Sequence, residues 1–132
     1  MATAQENEAQ ARRAYAAFAA GDLETVKSVL HPDIVWHVGG NSPVSGDYKG
    51  IDDVLGFFGK LFTETNGTFT NTPTDVIATD TATVVIAHVH AERKGKVLDA
   101  EQVAIYRADG DGRVTEGTFY SDDTTQFDGF FS

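Results

Sequence analysis

Apolar residues recur at helical spacing in three N-terminal stretches and then at alternate positions, so the pattern predicts helices first and a long sheet after them. From about Glu6 to Ala20, one stripe of a first helix carries Ala11, Ala14, Tyr15 and Phe18, while Arg12 and Arg13 point elsewhere. Gly21 supplies a left-handed stop, and the Asp22 carboxylate caps a second helix whose buried stripe is Leu23, Val26, Val29 and Leu30. A third helix over Ile51 to Thr65 has Asp52 and Asp53 in its first turn, where the helix dipole favours acids. Its inner face, with Val54, Leu55, Phe57, Phe58, Leu61 and Phe62, is rich in aromatic rings.

His31-Pro32-Asp33 closes the second helix, because proline biases the residue before it towards extended backbone. Ile34 to Val38 then alternates as a strand, with Ile34, Trp36 and Val38 on one face and Val35 and His37 on the other. The glycine- and serine-rich segment from Gly39 to Gly50 reads as a loop or short hairpin containing Tyr48. After Asn66-Gly67, strands are expected over about Thr68 to Ala78, Ala82 to Arg93, Lys96 to Arg107 and Arg113 to Ser121, the last three joined by tight turns. Helices followed by an antiparallel meander indicate an α+β class with the helices on one face of the sheet. The tail from Asp122 to Ser132 carries Phe127, Phe130 and Phe131 and is too apolar to stay in solvent, so it packs on its own domain or on a second subunit.

With 132 residues and no internal repeat or linker, the chain reads as a single domain, residues 1–132. A net charge of −10 repels phosphates and anionic bilayers, which argues against nucleic-acid and membrane partners. The absence of cysteine excludes disulfides and thiolate chemistry. The alanine-rich N-terminus is broken by charged residues and holds no apolar run of signal or span length, so a cytoplasmic location is expected.

The order AGDLETV, DIVWHVGG, SGDYKGIDDVLGFF, the AERKGK turn and DGDGRVTE resembles the SnoaL-like, or NTF2-like, superfamily, which includes the ketosteroid isomerases. The resemblance implies a cone-shaped, cystatin-like roll: a curved antiparallel sheet packed on three N-terminal helices, with an apolar cavity inside. It also implies a homodimer formed through the outer sheet face. In ketosteroid isomerases a first-strand aspartate, a first-helix tyrosine and a second aspartate in the penultimate strand do the chemistry. Laid on this chain without gaps, those positions fall on Val38, Ala14 and Ala104, none of which exchanges a proton. Tyr15 and His37 are each one residue off, and in a strand that offset turns the side chain to the opposite face. Steroid isomerase activity is therefore not carried over by the resemblance.

His37 is the candidate general base, since an imidazole titrates near neutrality and this one adjoins the Gly39-Gly40 loop at an expected pocket mouth. Simple alternation opposes this by placing it on the outer face. Tyr15, Trp36 and Gln102 are candidates to hold or polarise a substrate, with Phe18, Val38, Phe57, Phe58, Ala104 and Phe119 as apolar walls. His88 and His90 share a strand face, but two ligands do not make a metal site, so neither a metal nor another cofactor is expected. Asp109-Gly110-Asp111-Gly112 lacks calcium-loop spacing and reads as a turn, and Asp122-Asp123 as a strand end. The leading expectation is a cofactor-independent enzyme of isomerase, cyclase or lyase type, moving a proton on a small apolar carbonyl or polyketide-like compound. The alternative is a non-catalytic module of the same fold that binds a small apolar molecule or dimerises.

Overall fold

The computed structural model describes residues 2–132. Its elements, in order, are α1 (Ala4–Ala19), α2 (Leu23–Val29), β1 (Leu30–Val38), β2 (Gly46–Lys49), α3 (Ile51–Glu64), β3 (Thr70–Ala78), β4 (Ala82–Arg93), β5 (Lys96–Ala108), β6 (Val114–Ser121) and α4 (Thr124–Phe131). The helices start where side chains satisfy their free amides: Thr3 accepts from the Glu6 N–H, Asp22 from Thr25 and Asp123 from Gln126. Gly21 leaves α1 with φ +74°, which a Cβ would penalise.

One six-stranded sheet runs β2-β1-β6-β5-β4-β3. β3 to β6 form the expected antiparallel meander, and β1 joins it by a parallel pairing with β6, so the sheet contains one parallel ladder. Register shifts between Pro73 and Asp75 and between Arg107 and Ala108 mark bulges, and bulges bend the strands that carry them. The sheet is therefore a curved, unclosed wrap around the helices, an NTF2-like (cystatin-like) α+β roll.

Two segments depart from their sequence reading. β1 begins at Leu30, ahead of Pro32, because the first residues of a strand tolerate a missing N–H. The aromatic tail forms α4, which buries Phe130 and Phe131 against its own domain. Arg93, itself 9% exposed, ties α4 down by donating to the Phe130 and Ser132 carbonyls while its guanidinium pairs with Glu64 of α3 at 3.0 Å. Asn7 similarly anchors α1, donating to the Thr79 and Asp80 carbonyls in the β3–β4 turn. No helix among the described residues is long and apolar enough to cross a membrane.

Candidate functional site

Between the concave side of the sheet and the helices lies a cavity of about 120 Å³. Its lining runs along β6 from Val114 to Ser121, roughly 23 Å at a strand's rise per residue. α1 contributes Asn7, Gln10, Ala11, Ala14, Tyr15 and Phe18 to one wall, and α3 contributes Phe57, Phe58 and Leu61. Near Ser121 the cavity adjoins a smaller recess between Gly39-Gly40 and α4, with which it shares Gln102, Phe119, Ser121 and Phe127. Gly40 is required at that rim: φ is +91° and a Cβ would stand 2.5 Å from Asp128 Oδ1, the atom that accepts from the Asn41 N–H.

Trp36 is the central ring of the wall. It lies 4.4 Å from Phe119, 5.5 Å from Phe58 and 5.9 Å from Tyr106, centroid to centroid. Gly117 gives its six-membered ring room, since a Cβ there would fall 3.0 Å from Trp36 Cε3. The indole Nε1 is buried and has no hydrogen-bond partner among the described residues.

Three further polar features interrupt the apolar wall. The Tyr15 and Tyr106 hydroxyls, brought from α1 and β5, are 2.6 Å apart. Burial pushes the Tyr15 phenol up to about 12, a shift that its bond with Tyr106 only partly offsets. Burial, with the neighbouring Tyr15, also holds Tyr106 well above the ordinary phenol value. Both are thus neutral at physiological pH and act as donors, not bases. The third feature is an amide pair, in which Asn71 Nδ2 donates to Gln102 Oε1 at 3.1 Å while Asn71 Oδ1 is buried without a partner among the described residues.

Of the residues proposed from sequence, Tyr15, Phe18, Trp36, Val38, Phe57, Phe58, Gln102 and Phe119 line this cavity. Two do not. Ala104 is 1% exposed but sits in the packed sheet beside its cross-strand partner Phe119, where its short side chain does not reach the hollow. His37 is on the outer face, opposite Trp36, as strand alternation requires. Its Nδ1 is 2.6 Å from Asp47 on β2 and its Nε2 3.1 Å from Glu116 on β6. Those two carboxylates raise its pKa above the ordinary 6.5, which suits a charged brace between strands and leaves the ring without a free base nitrogen for the cavity.

The other sequence candidates have local partners. His88 lies 2.5 Å from Asp99 and His90 3.9 Å from Glu92, and no group of three metal-ligating side chains is assembled among the described residues. Asp109 Oδ1 closes its turn by accepting from the Asp111 and Arg113 amides. Asp122 accepts from the Glu101 N–H, and Asp123 caps α4. Asn71 and Tyr106 were not among the site residues proposed from the sequence. The signal for Asn71 was alternation with Phe69, which puts a polar amide on a buried face.

Comparison with known proteins agrees with this fold. An uncharacterized protein of Mycobacterium tuberculosis is 35% identical over 113 residues, covering 84% of this chain and 86% of its own. The solved structure of Bal32a, from a soil-derived mobile gene cassette, superposes with a TM-score of 0.94 at 33% identity and 98% coverage of both chains. A protein with a cystatin-like fold from Xanthomonas campestris matches at TM-score 0.89 and 29% identity, over 96% of this chain and 98% of its own. Residues 11–117 match the SnoaL-like domain, the stretch that supplies both tyrosines, the indole and the amide pair, and the chain belongs to that family.

Proposed function

We propose that the protein binds a small, mostly apolar carbonyl- or hydroxyl-bearing compound in this cavity and orients it with neutral hydrogen-bonding groups. The observation that carries the reading is the Tyr15–Tyr106 hydroxyl pair, facing apolar walls beside the unpartnered Trp36 N–H. One proton of the pair is used between the two oxygens, which leaves one O–H to donate outward. In a site poor in water such a donor is worth more than at a surface, so a carbonyl oxygen is a fitting partner.

The same pair favours a second reading, an isomerase, cyclase or lyase of SnoaL type. A neutral phenol pair stabilises negative charge developing on a substrate oxygen, the electrophilic half of an enolisation. The other half needs a base, and among the described residues no histidine or aspartate lines the cavity; Glu101, at its edge, is exposed. Binding is therefore placed first.

Trp36 is the chain's single tryptophan, so its emission reports occupancy directly. Titration with 1-tetralone, a bicyclic ketone, is expected to give a saturable change in that emission. Tyr15→Phe and Tyr106→Phe are each expected to weaken binding roughly tenfold, the worth of one buried hydrogen bond. A titration without saturation removes the reading. Deuterium exchange at the ketone's α-carbon, followed by NMR, separates the two functions: acceleration by the wild type that Tyr15→Phe abolishes supports catalysis, and a rate equal to buffer leaves binding alone.

A further inference from the structure

The amide pair narrows what the cavity accepts. Asn71 on β3 and Gln102 on β5 reach each other across β4, whose residue opposite Gln102 is Ala87 and whose residue opposite Asn71 is Val89. A single hydrogen bond joins the two amides. Two amides contain two carbonyl oxygens and two NH2 groups, so one bond between them leaves at least one acceptor and one donor group unused. The unused acceptor is Asn71 Oδ1, buried and unpartnered, and Gln102 Nε2 makes no hydrogen bond among the described residues. Turning both amides over exchanges the roles of Asn71 and Gln102 and preserves the count.

Donors are plentiful on the residues that line this cavity, from Trp36 Nε1, the tyrosine pair and Gln102 Nε2, but the buried Asn71 carbonyl asks for the opposite partner. A ketone satisfies the donors and leaves that oxygen desolvated and unpaired. We infer that the Asn71–Gln102 pair is a specificity element for compounds that carry a hydroxyl or N–H donor in addition to a carbonyl: hydroxylated cyclic ketones or lactams. This rests on the small-molecule reading above and adds the polarity pattern of the ligand. Both amides stand on β-strands of the sheet, where the backbone fixes their separation, which suits discrimination between near-identical ligands.

The test compares 6-hydroxy-1-tetralone with 6-methoxy-1-tetralone, and 2-quinolinone with its N-methyl derivative, by calorimetry on the full chain. Each pair keeps the carbonyl and differs in the donor, and the two pairs separate the hydroxyl from the N–H source. In at least one pair the donor-bearing compound is expected to bind roughly tenfold tighter or more, because the analogue leaves a buried polar group unpaired. The Asn71→Leu/Gln102→Leu double variant replaces both partners by apolar groups of similar shape, so it is expected to fold and to bind both members of the pair within about twofold. Equal binding of both members of both pairs by the wild type overturns the inference and leaves the cavity reading standing. Retained preference in the double variant assigns the selectivity elsewhere and also overturns it. Should that variant not fold, the wild-type comparison still decides, with Asn71→Ala as the second variant. If none of the four compounds binds, the cavity reading itself falls and the inference with it.

Discussion

Gly117→Ala probes the wall of the cavity through one methyl group. The added Cβ would stand 3.0 Å from Trp36 Cε3 and 3.2 Å from both Trp36 Cζ3 and Phe119 Cε2, closer than carbon atoms settle. The backbone at Gly117 has no positive φ, so alanine meets no conformational penalty there and stiffens the unfolded chain, a gain of about 0.4–1 kcal/mol. Overpacking costs about 1–3 kcal/mol, so a net loss of about 0–2.6 kcal/mol, centred on about 1.3 kcal/mol, is expected. Because the space beyond the indole is hollow, Trp36 relieves the clash by tilting into the cavity, which favours the low end of that range. In a domain of this size the melting point falls by roughly 2–8 °C. The tilt also moves Nε1, so the emission maximum of the sole tryptophan shifts and affinity for 1-tetralone drops by more than the stability loss accounts for. Thermal melts by circular dichroism and a fluorescence titration on the same samples check both parts. An unchanged melting point together with an unchanged Trp36 emission would refute the packing of Trp36 on Gly117.

Two dependences on pH follow from the shifted groups. Tyr15 ionises near 12 in the folded protein and at its ordinary 10.0 when unfolded, so between those values the unfolded state sheds its proton first and stability falls as pH rises. Alkaline melts are expected to show a steep decline above about pH 10 that Tyr15→Phe/Tyr106→Phe flattens; an identical slope in that variant would count against the buried pair. His37 behaves in the opposite charge sense but with the same direction. Its contribution is fully present below 6.5 and is lost as pH rises through the elevated folded value. An NMR titration is expected to place the ring above 6.5 in the wild type and closer to it in Asp47→Asn and Glu116→Gln; an unmoved midpoint in both would deny the brace. His37→Gln is expected to leave ketone binding intact, since the ring is outside the cavity.

Much of this was legible in the chain. Helical spacing identified Ala14, Tyr15 and Phe18 as one inward stripe, and alternation placed Trp36 and Val38 inward and His37 outward. The expectation of catalysis by His37 came from its nearness to a glycine-rich mouth, and the two-residue period of the strand overrides nearness. Pairings between distant segments could not be read: Tyr15 and Tyr106 are separated by 91 positions and Asn71 and Gln102 by 31. Periodicity gives the face of each residue but not the register between strands, which shifts at the bulges at Pro73 and Arg107. α4 was missed as a helix because its eight residues include Gly129, although Asp123 three positions before Gln126 carries the cap that starts it.

The cavity has an energetic consequence for the whole domain. At about 24 cal/mol per Å³, a hollow of about 120 Å³ costs roughly 3 kcal/mol, a large share of the 5–15 kcal/mol by which domains are typically stable. Leaving Trp36 Nε1 and Asn71 Oδ1 buried without partners adds about 1–3 kcal/mol each. Neither cost is forced by the fold. Ala11, Ala14 and Ala100 all line the hollow, and longer apolar side chains at those positions would fill it. Elsewhere the chain is tightly tied, with Arg93 joining α3 to α4 and Asn7 fixing α1 to the sheet. A ligand present at one hundred times its Kd contributes about 2.7 kcal/mol, close to what the hollow takes away. Small residues at the wall and unpaired polar atoms on residues that line it are separate choices of sequence within a rigid frame, and occupation by a ligand of matching polarity offsets part of their cost.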